Sequence, residues 1–103
     1  MQLGIVITDE CFLPQANGLI DAATARGWET LSFLTDTGVN LLADAGFVER
    51  ARARPNSVTL CEHSAEHYAA GRFGLNTLAA IVVLCGPYED AELVRKCDKV
   101  LVF

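Results

Sequence analysis

The sequence has no Cys-x-x-Cys pair, no glycine-rich turn and no long apolar run. Each absence excludes a class of protein. Without closely spaced cysteines there is no thioredoxin-type dithiol. The first apolar run is followed by Thr8-Asp9-Glu10-Cys11. A phosphate cradle needs glycines and bare N–H groups there, and these carboxylates repel phosphate, so a nucleotide or flavin site is not expected. Neither Cys11 nor Cys61 begins a Cys-x5-Arg loop, which removes the cysteine phosphatases. No stretch reaches the roughly 18 apolar residues of a membrane-spanning helix.

Positive charge is also scarce. Eight Lys and Arg stand against thirteen Asp and Glu, for a net charge of −5. Nucleic acid and anionic membranes are therefore not expected partners. Arg50, Arg52 and Arg54 form the only basic cluster, and they read as a solvated helix end, where cations suit the dipole. The opening, Met1 to Thr8, reads as a first strand rather than a signal peptide, which sets the expectation of a cytoplasmic protein.

What is present is a chain of 103 residues with 51% hydrophobic content, enough for one domain over residues 1–103 with its own core. Short apolar runs alternate with helical periods. Leu3 to Ile7 predicts a first strand. Leu13, Ala16, Leu19, Ile20 and Ala23 recur at helical spacing, with Pro14 in the first turn and Gly27 as the stop. Gly18 inside that helix suggests close packing. Trp28 to Leu34 predicts a second strand and Thr35 to Gly38 a turn. Val39 to Arg54 reads as helix, broken at Gly46, with Pro55-Asn56 as a breaker. Ser57 to Leu60 predicts a third strand running into Cys61, then a short helix from Glu62 to about Ala70 and a loop around Gly71 to Asn76. Ala80 to Leu84 predicts a fourth strand. Pro87 opens a helix whose apolar face carries Ala91 and Val94, with Leu93 flanking. Lys99 to Phe103 predicts a fifth strand. Strands alternating with helices imply a parallel sheet covered on both faces, a three-layer α/β/α arrangement of flavodoxin-like type.

In such sheets chemistry collects at the carboxyl ends of the strands. Cys11 follows strand one, Cys61 ends strand three and Cys85 ends strand four, so three of the four cysteines fall on that edge. Cys97, near the end of the last helix, continues the Ala91 and Val94 face and reads as a small packing residue. Cys61 has the best setting. At a helix start, unpaired N–H groups favour the thiolate. Ser64 is placed to touch the same turn, and an imidazolium at His63 or His67 would lower the thiol further, whereas Glu62 opposes a second negative charge. Cys85 can resolve a disulfide with Cys61, help bind a metal or simply be buried. Cys11, beside Asp9 and Glu10, reads as unactivated. His63 and His67, four apart, have a spacing that can bind zinc. A response regulator would need an aspartate and a lysine where Cys61 and Phe103 stand.

The segment Val58-Thr59-Leu60-Cys61-Glu62-His63-Ser64-Ala65 resembles the strand-Cys-x-x-Ser-Ala stretch of DsrE-like proteins. Leu3-Gly4-Ile5-Val6-Ile7, Gly38-Val39-Asn40-Leu41-Leu42 with Ala45-Gly46-Phe47, and the ending Cys97-Asp98-Lys99-Val100-Leu101-Val102-Phe103 add to the likeness, which covers nearly the whole chain. The resemblance implies a five-stranded parallel α/β/α fold of the DsrEFH type, cytoplasmic location and assembly into trimers or hexamers. It also implies sulfur relay, in which Cys61 accepts sulfane sulfur as a persulfide and passes it to a partner protein's thiol. That chemistry needs no bound cofactor. His63 and Cys85 are not carried by the resemblance. Two alternatives stand beside this reading: a non-catalytic oligomeric or regulatory module, and a metal site built from Cys61, His63, His67 and Cys85.

Overall fold

The computed structural model describes residues 1–54, 57–68, 82–85 and 89–103. The elements run β1 (Gln2–Ile7), a 3₁₀ turn (Glu10–Phe12), α1 (Leu13–Ala25), β2 (Glu29–Leu34), a 3₁₀ segment (Asp36–Ala43), α2 (Ala45–Ala53), β3 (Val58–Cys61), α3 (Glu62–Tyr68), β4 (Val82–Cys85), α4 (Glu89–Lys96) and β5 (Lys99–Val102). The fold is α/β with a parallel sheet in the order β4-β3-β2-β1-β5. The expected breaker at Pro55-Asn56, the loop from Gly71 to Asn76 and the helix start at Pro87 lie outside the described residues.

The strand order departs from the flavodoxin type, which runs 2-1-3-4-5. Here the chain steps one way from β1 through β4, then returns to the far side of β1 for β5. Right-handed crossovers that reverse direction change face. The two core clusters follow that rule. Leu3, Ile5 and Ile7 of β1 pack with Ala16, Ile20 and Ala23 of α1 and with Phe47 and Ala51 of α2. Val6 and Phe33, on the other face, pack with Leu93 of α4. The period-two alternation of a strand sorts β1 between them. Burying each large side chain of these clusters contributes roughly 1.5–3 kcal/mol.

Helix α1 starts with Pro14 in its first turn and stops at Gly27, which adopts φ 74°. The Gly27 N–H donates to Thr24 O and the Trp28 N–H to Ala23 O, a double closure that satisfies the last carbonyls. Trp28 therefore belongs to the helix cap, and the second strand begins one residue later than the sequence suggests. Gly18 has no atom within 4 Å of where a Cβ would sit, so it serves no close packing.

The region after β2 differs more. The expected turn is instead the start of a 3₁₀ segment that continues to Ala43. The break falls at Asp44, not Gly46. The Asp44 carboxylate accepts the Phe47 N–H at 2.8 Å and starts α2 afresh. The arginine cluster is less free than its charge pattern suggests. Arg50 donates to both carboxylate oxygens of Asp21, at 2.9 and 2.7 Å, and Arg54 donates to Trp28 O at 3.1 Å. Both side chains tie α2 back to α1 and its cap.

Helix α4 presents a different face from the one expected. Leu93 is buried and Cys97 half-buried, whereas Val94 is 56% exposed. Gly4 decides this. A Cβ there would lie 2.6 Å from Leu93 Cδ2 and 3.0 Å from Cys97 Sγ, so the bare backbone of β1 admits the Leu93–Cys97 ridge. These two are four apart and share a face.

Candidate functional site

Cys61 is the last residue of β3, and α3 begins at Glu62. The turn from strand to helix leaves the backbone N–H groups of the first helical residues without helical partners. The N–H groups of His63 and Ser64 and the hydroxyls of Ser64 and Thr35 act on the Cys61 sulfur as donors that favour its thiolate. Burial acts most strongly on this half-buried thiol and pushes it up. The Ser64 hydroxyl, the Ser64 and His63 N–H groups and the Thr35 hydroxyl together outweigh burial and hold the thiol below its ordinary value.

Thr35 comes from the neighbouring strand. Leu34 of β2 is in register with Leu60 of β3, so the residue after β2 falls beside the end of β3. Ser64 joins the two sides. Its Oγ accepts the Asp36 N–H at 3.0 Å and lies 3.3 Å from Thr35 Oγ1. With its oxygen occupied by that N–H, Ser64 has its own proton to offer the sulfur. Asp36 adopts φ 49°, a left-handed conformation unusual for a residue other than glycine, and this turn aims its N–H at Ser64. Gly38 secures the same turn, since a Cβ there would collide with the Ile7 carbonyl at the end of β1. Sequence reasoning missed Thr35 and Asp36 because they read only as a turn. The available signal was that neighbouring parallel strands present their carboxyl ends along one edge of the sheet.

The other sequence candidates fall in different places. His63 acts through its backbone N–H. Its exposed ring stacks with that of His67, at 6.4 Å between centroids. Among the described residues no group of three or more His, Cys, Asp or Glu is placed to hold a metal ion. The Cys85 backbone is the Cα partner of Cys61 on β4. Cys11 is exposed in the first 3₁₀ turn, where Asp9 accepts its N–H at 2.9 Å. The Asp9 carboxylate, by hydrogen bond and by charge, raises the Cys11 thiol, with slight burial and Glu10 adding to it. Cys11 lies in the turn after β1, a strand two places from the β3 that carries Cys61. Burial first, then Asp98, raises the Cys97 thiol. Of Cys11, Cys61 and Cys97, only Cys61 is shifted toward the thiolate.

The edge crevice that α/β sheets offer ligands, at the reversal of strand order, falls here between β1 and β5. It is closed. The Thr8 N–H and hydroxyl both donate to Phe103 O, and the Phe103 ring packs on Phe12 at 5.6 Å. A cleft of about 490 Å³ opens at the opposite, amino-terminal edge, among Gln2, Glu29, Arg54 and Ser57, with no nucleophilic thiol in its lining. The arrangement offers a half-buried, donor-stabilised thiol at a strand end, the kind of group that can attack soft electrophiles such as sulfane sulfur or a disulfide. Among the described residues no helix is long and apolar enough to cross a membrane. The chain matches no protein-family model and no curated protein.

Proposed function

We propose that this protein is a DsrE-like sulfur carrier, which holds sulfane sulfur as a persulfide on Cys61 and passes it to the thiol of a partner protein. The observation that carries the reading is the set of four donors from Thr35, His63 and Ser64 acting on one half-buried sulfur. A persulfide carrier needs a thiolate to attack the donor, access for a second thiol and no cofactor. The downward shift of the Cys61 thiol raises its thiolate fraction at a given pH, which favours attack on the donor.

The reading extends to one domain with a three-layer α/β/α arrangement around five parallel strands, working in the cytoplasm as a homo-oligomer, a trimer or hexamer. Val94, Leu101 and Val102, at 56%, 42% and 68% exposure, provide apolar surface for self-association. Light scattering across a dilution series tests this part, and a monomer at every concentration would refute it.

The central test is direct. The reduced protein is incubated with a persulfide donor, desalted and weighed intact. With Cys85→Ser, which removes the neighbouring strand-end cysteine, the chain is expected to accept one sulfur atom, located on Cys61 by peptide mapping, and adding Cys61→Ser is expected to abolish the gain. A gain of sulfur that survives Cys61→Ser unchanged would sink the assignment.

A further inference from the structure

We infer that Cys85 is the second thiol of this site, attacking the Cys61 persulfide to close a Cys61–Cys85 disulfide and expel the carried sulfur as hydrosulfide. The inference rests on the persulfide reading of Cys61 and adds a second outcome for the same sulfur, release instead of transfer.

Register carries the argument. Cys61 and Cys85 are Cα partners on neighbouring parallel strands, and each is the last residue of its strand. Neighbouring strands lie about 4.8 Å apart, and disulfides join Cα atoms roughly 4.4–6.8 Å apart. A slip of two residues along β4 would carry the pair out of that range. The other described cysteines are excluded by position. Cys11 follows a strand two places away, and Cys97 packs against Gly4 on β1. Donors that stabilise a thiolate on Cys61 Sγ favour its departure when an external thiol later reopens the disulfide.

The step balances as follows. Cys85, as thiolate, attacks Cys61 Sγ. The Sγ–Sγ bond forms while the bond from Cys61 Sγ to the outer sulfur breaks. The outer sulfur leaves with the bonding pair as hydrosulfide, taking the persulfide proton, and the Cys85 proton goes to solvent. The sulfane sulfur is reduced by two electrons, one from each cysteine sulfur. Two equivalents of an external thiol restore the dithiol, the first by forming a mixed disulfide and the second by releasing it. A bonded pair needs its Cβ atoms about 3.5–4.5 Å apart, closer than the strand spacing, so the bridge draws the strand ends together and opens readily to thiols.

The test uses the full chain as wild type, Cys85→Ser, Cys85→Ala and Cys61→Ser. Each is reduced, treated with inorganic polysulfide, desalted at once and followed by intact mass, non-reducing peptide mapping and a hydrosulfide assay. The wild type is expected to lose two hydrogens, to join the Cys61 and Cys85 peptides and to release one hydrosulfide per chain. Both Cys85 variants should keep one added sulfur on Cys61 and release none. If the wild type keeps its added sulfur as the variants do, the sulfur moves to Cys85, or the bridge joins another cysteine, the inference fails while the carrier reading stands. If no variant and no wild-type chain takes up sulfur, the carrier reading fails and the inference with it. Wild-type mapping decides the matter even where a variant does not fold.

Discussion

Four donors converge on the Cys61 sulfur, and each can be removed separately. Thr35→Val deletes one hydroxyl with little change of shape, and Ser64→Ala deletes another. Either change should move the Cys61 thiol upward. Ser64→Ala should also cost roughly 1–2 kcal/mol, because the Asp36 N–H loses its acceptor. The measurement is the rate of iodoacetamide alkylation against pH, resolved by peptide. Alkylation follows the thiolate, so reactivity is present above the thiol's folded value and is lost as pH falls through it. Cys61 is shifted down, while Cys11 and Cys97 are shifted up. As pH rises, Cys61 should therefore react before Cys11 and Cys97, although Cys11 is the more exposed. An earlier reaction at Cys11 would contradict the donor set. The sequence showed Cys61 and Ser64 because strand, helix and spacing are local patterns. It did not show Thr35, whose place beside Cys61 depends on the pairing of β2 with β3. It assigned the histidine effect to an imidazolium, whereas the contribution of His63 comes through its backbone N–H.

The elements differ from the sequence reading where capping overrides composition. Glycine inside a helical pattern looks like a break, yet Gly46 lies within α2 and Asp44 starts it. A side-chain oxygen three residues before an orphan N–H is the stronger signal. Asp44→Ala should lower stability by about 1 kcal/mol in urea unfolding. Gly18 is an exposed helix-interior glycine with open space at its Cβ position. Gly18→Ala should raise stability by about 0.5–1 kcal/mol, because it removes backbone freedom from the unfolded chain without a clash. Gly38 behaves in the opposite way. Its Cβ would strike the Ile7 carbonyl, so Gly38→Ala has to shift the whole turn that carries Thr35 and Asp36. Its cost should be about 3 kcal/mol, accompanied by a rise in the pH at which Cys61 alkylates. A Gly38→Ala variant as stable as wild type would show that this turn is not pinned against β1.

At the scale of the molecule, alternation of strand and helix shows that the sheet is parallel but not the order in which its strands lie. That order depends on which side of β1 the last strand joins, a choice settled by contacts nearly a chain length apart. Asp98 accepts the Gln2 N–H, and Phe103 bonds both Val6 and Thr8. The consequence is a division of the carboxyl edge into two regions. At the reversal between β1 and β5, Phe12 and Phe103 close the crevice. At the ends of β3 and β4, two strands and more away, stand Cys61 and Cys85. If the thiol site is built only from the β2–β3 side, the two regions should be separable by mutation. Phe103→Ala removes a half-buried ring and should cost about 2 kcal/mol, less than a fully buried phenylalanine, lowering Tm on the order of 10 °C. The alkylation profile of Cys61, measured below that Tm, should stay where it is in the wild type, since no donor to its sulfur comes from β1 or β5. A parallel shift of both quantities would mean that closure of the β1–β5 end also sets the turn holding Thr35. The path would be the hydrogen bond from the Thr35 N–H to the Ile7 carbonyl.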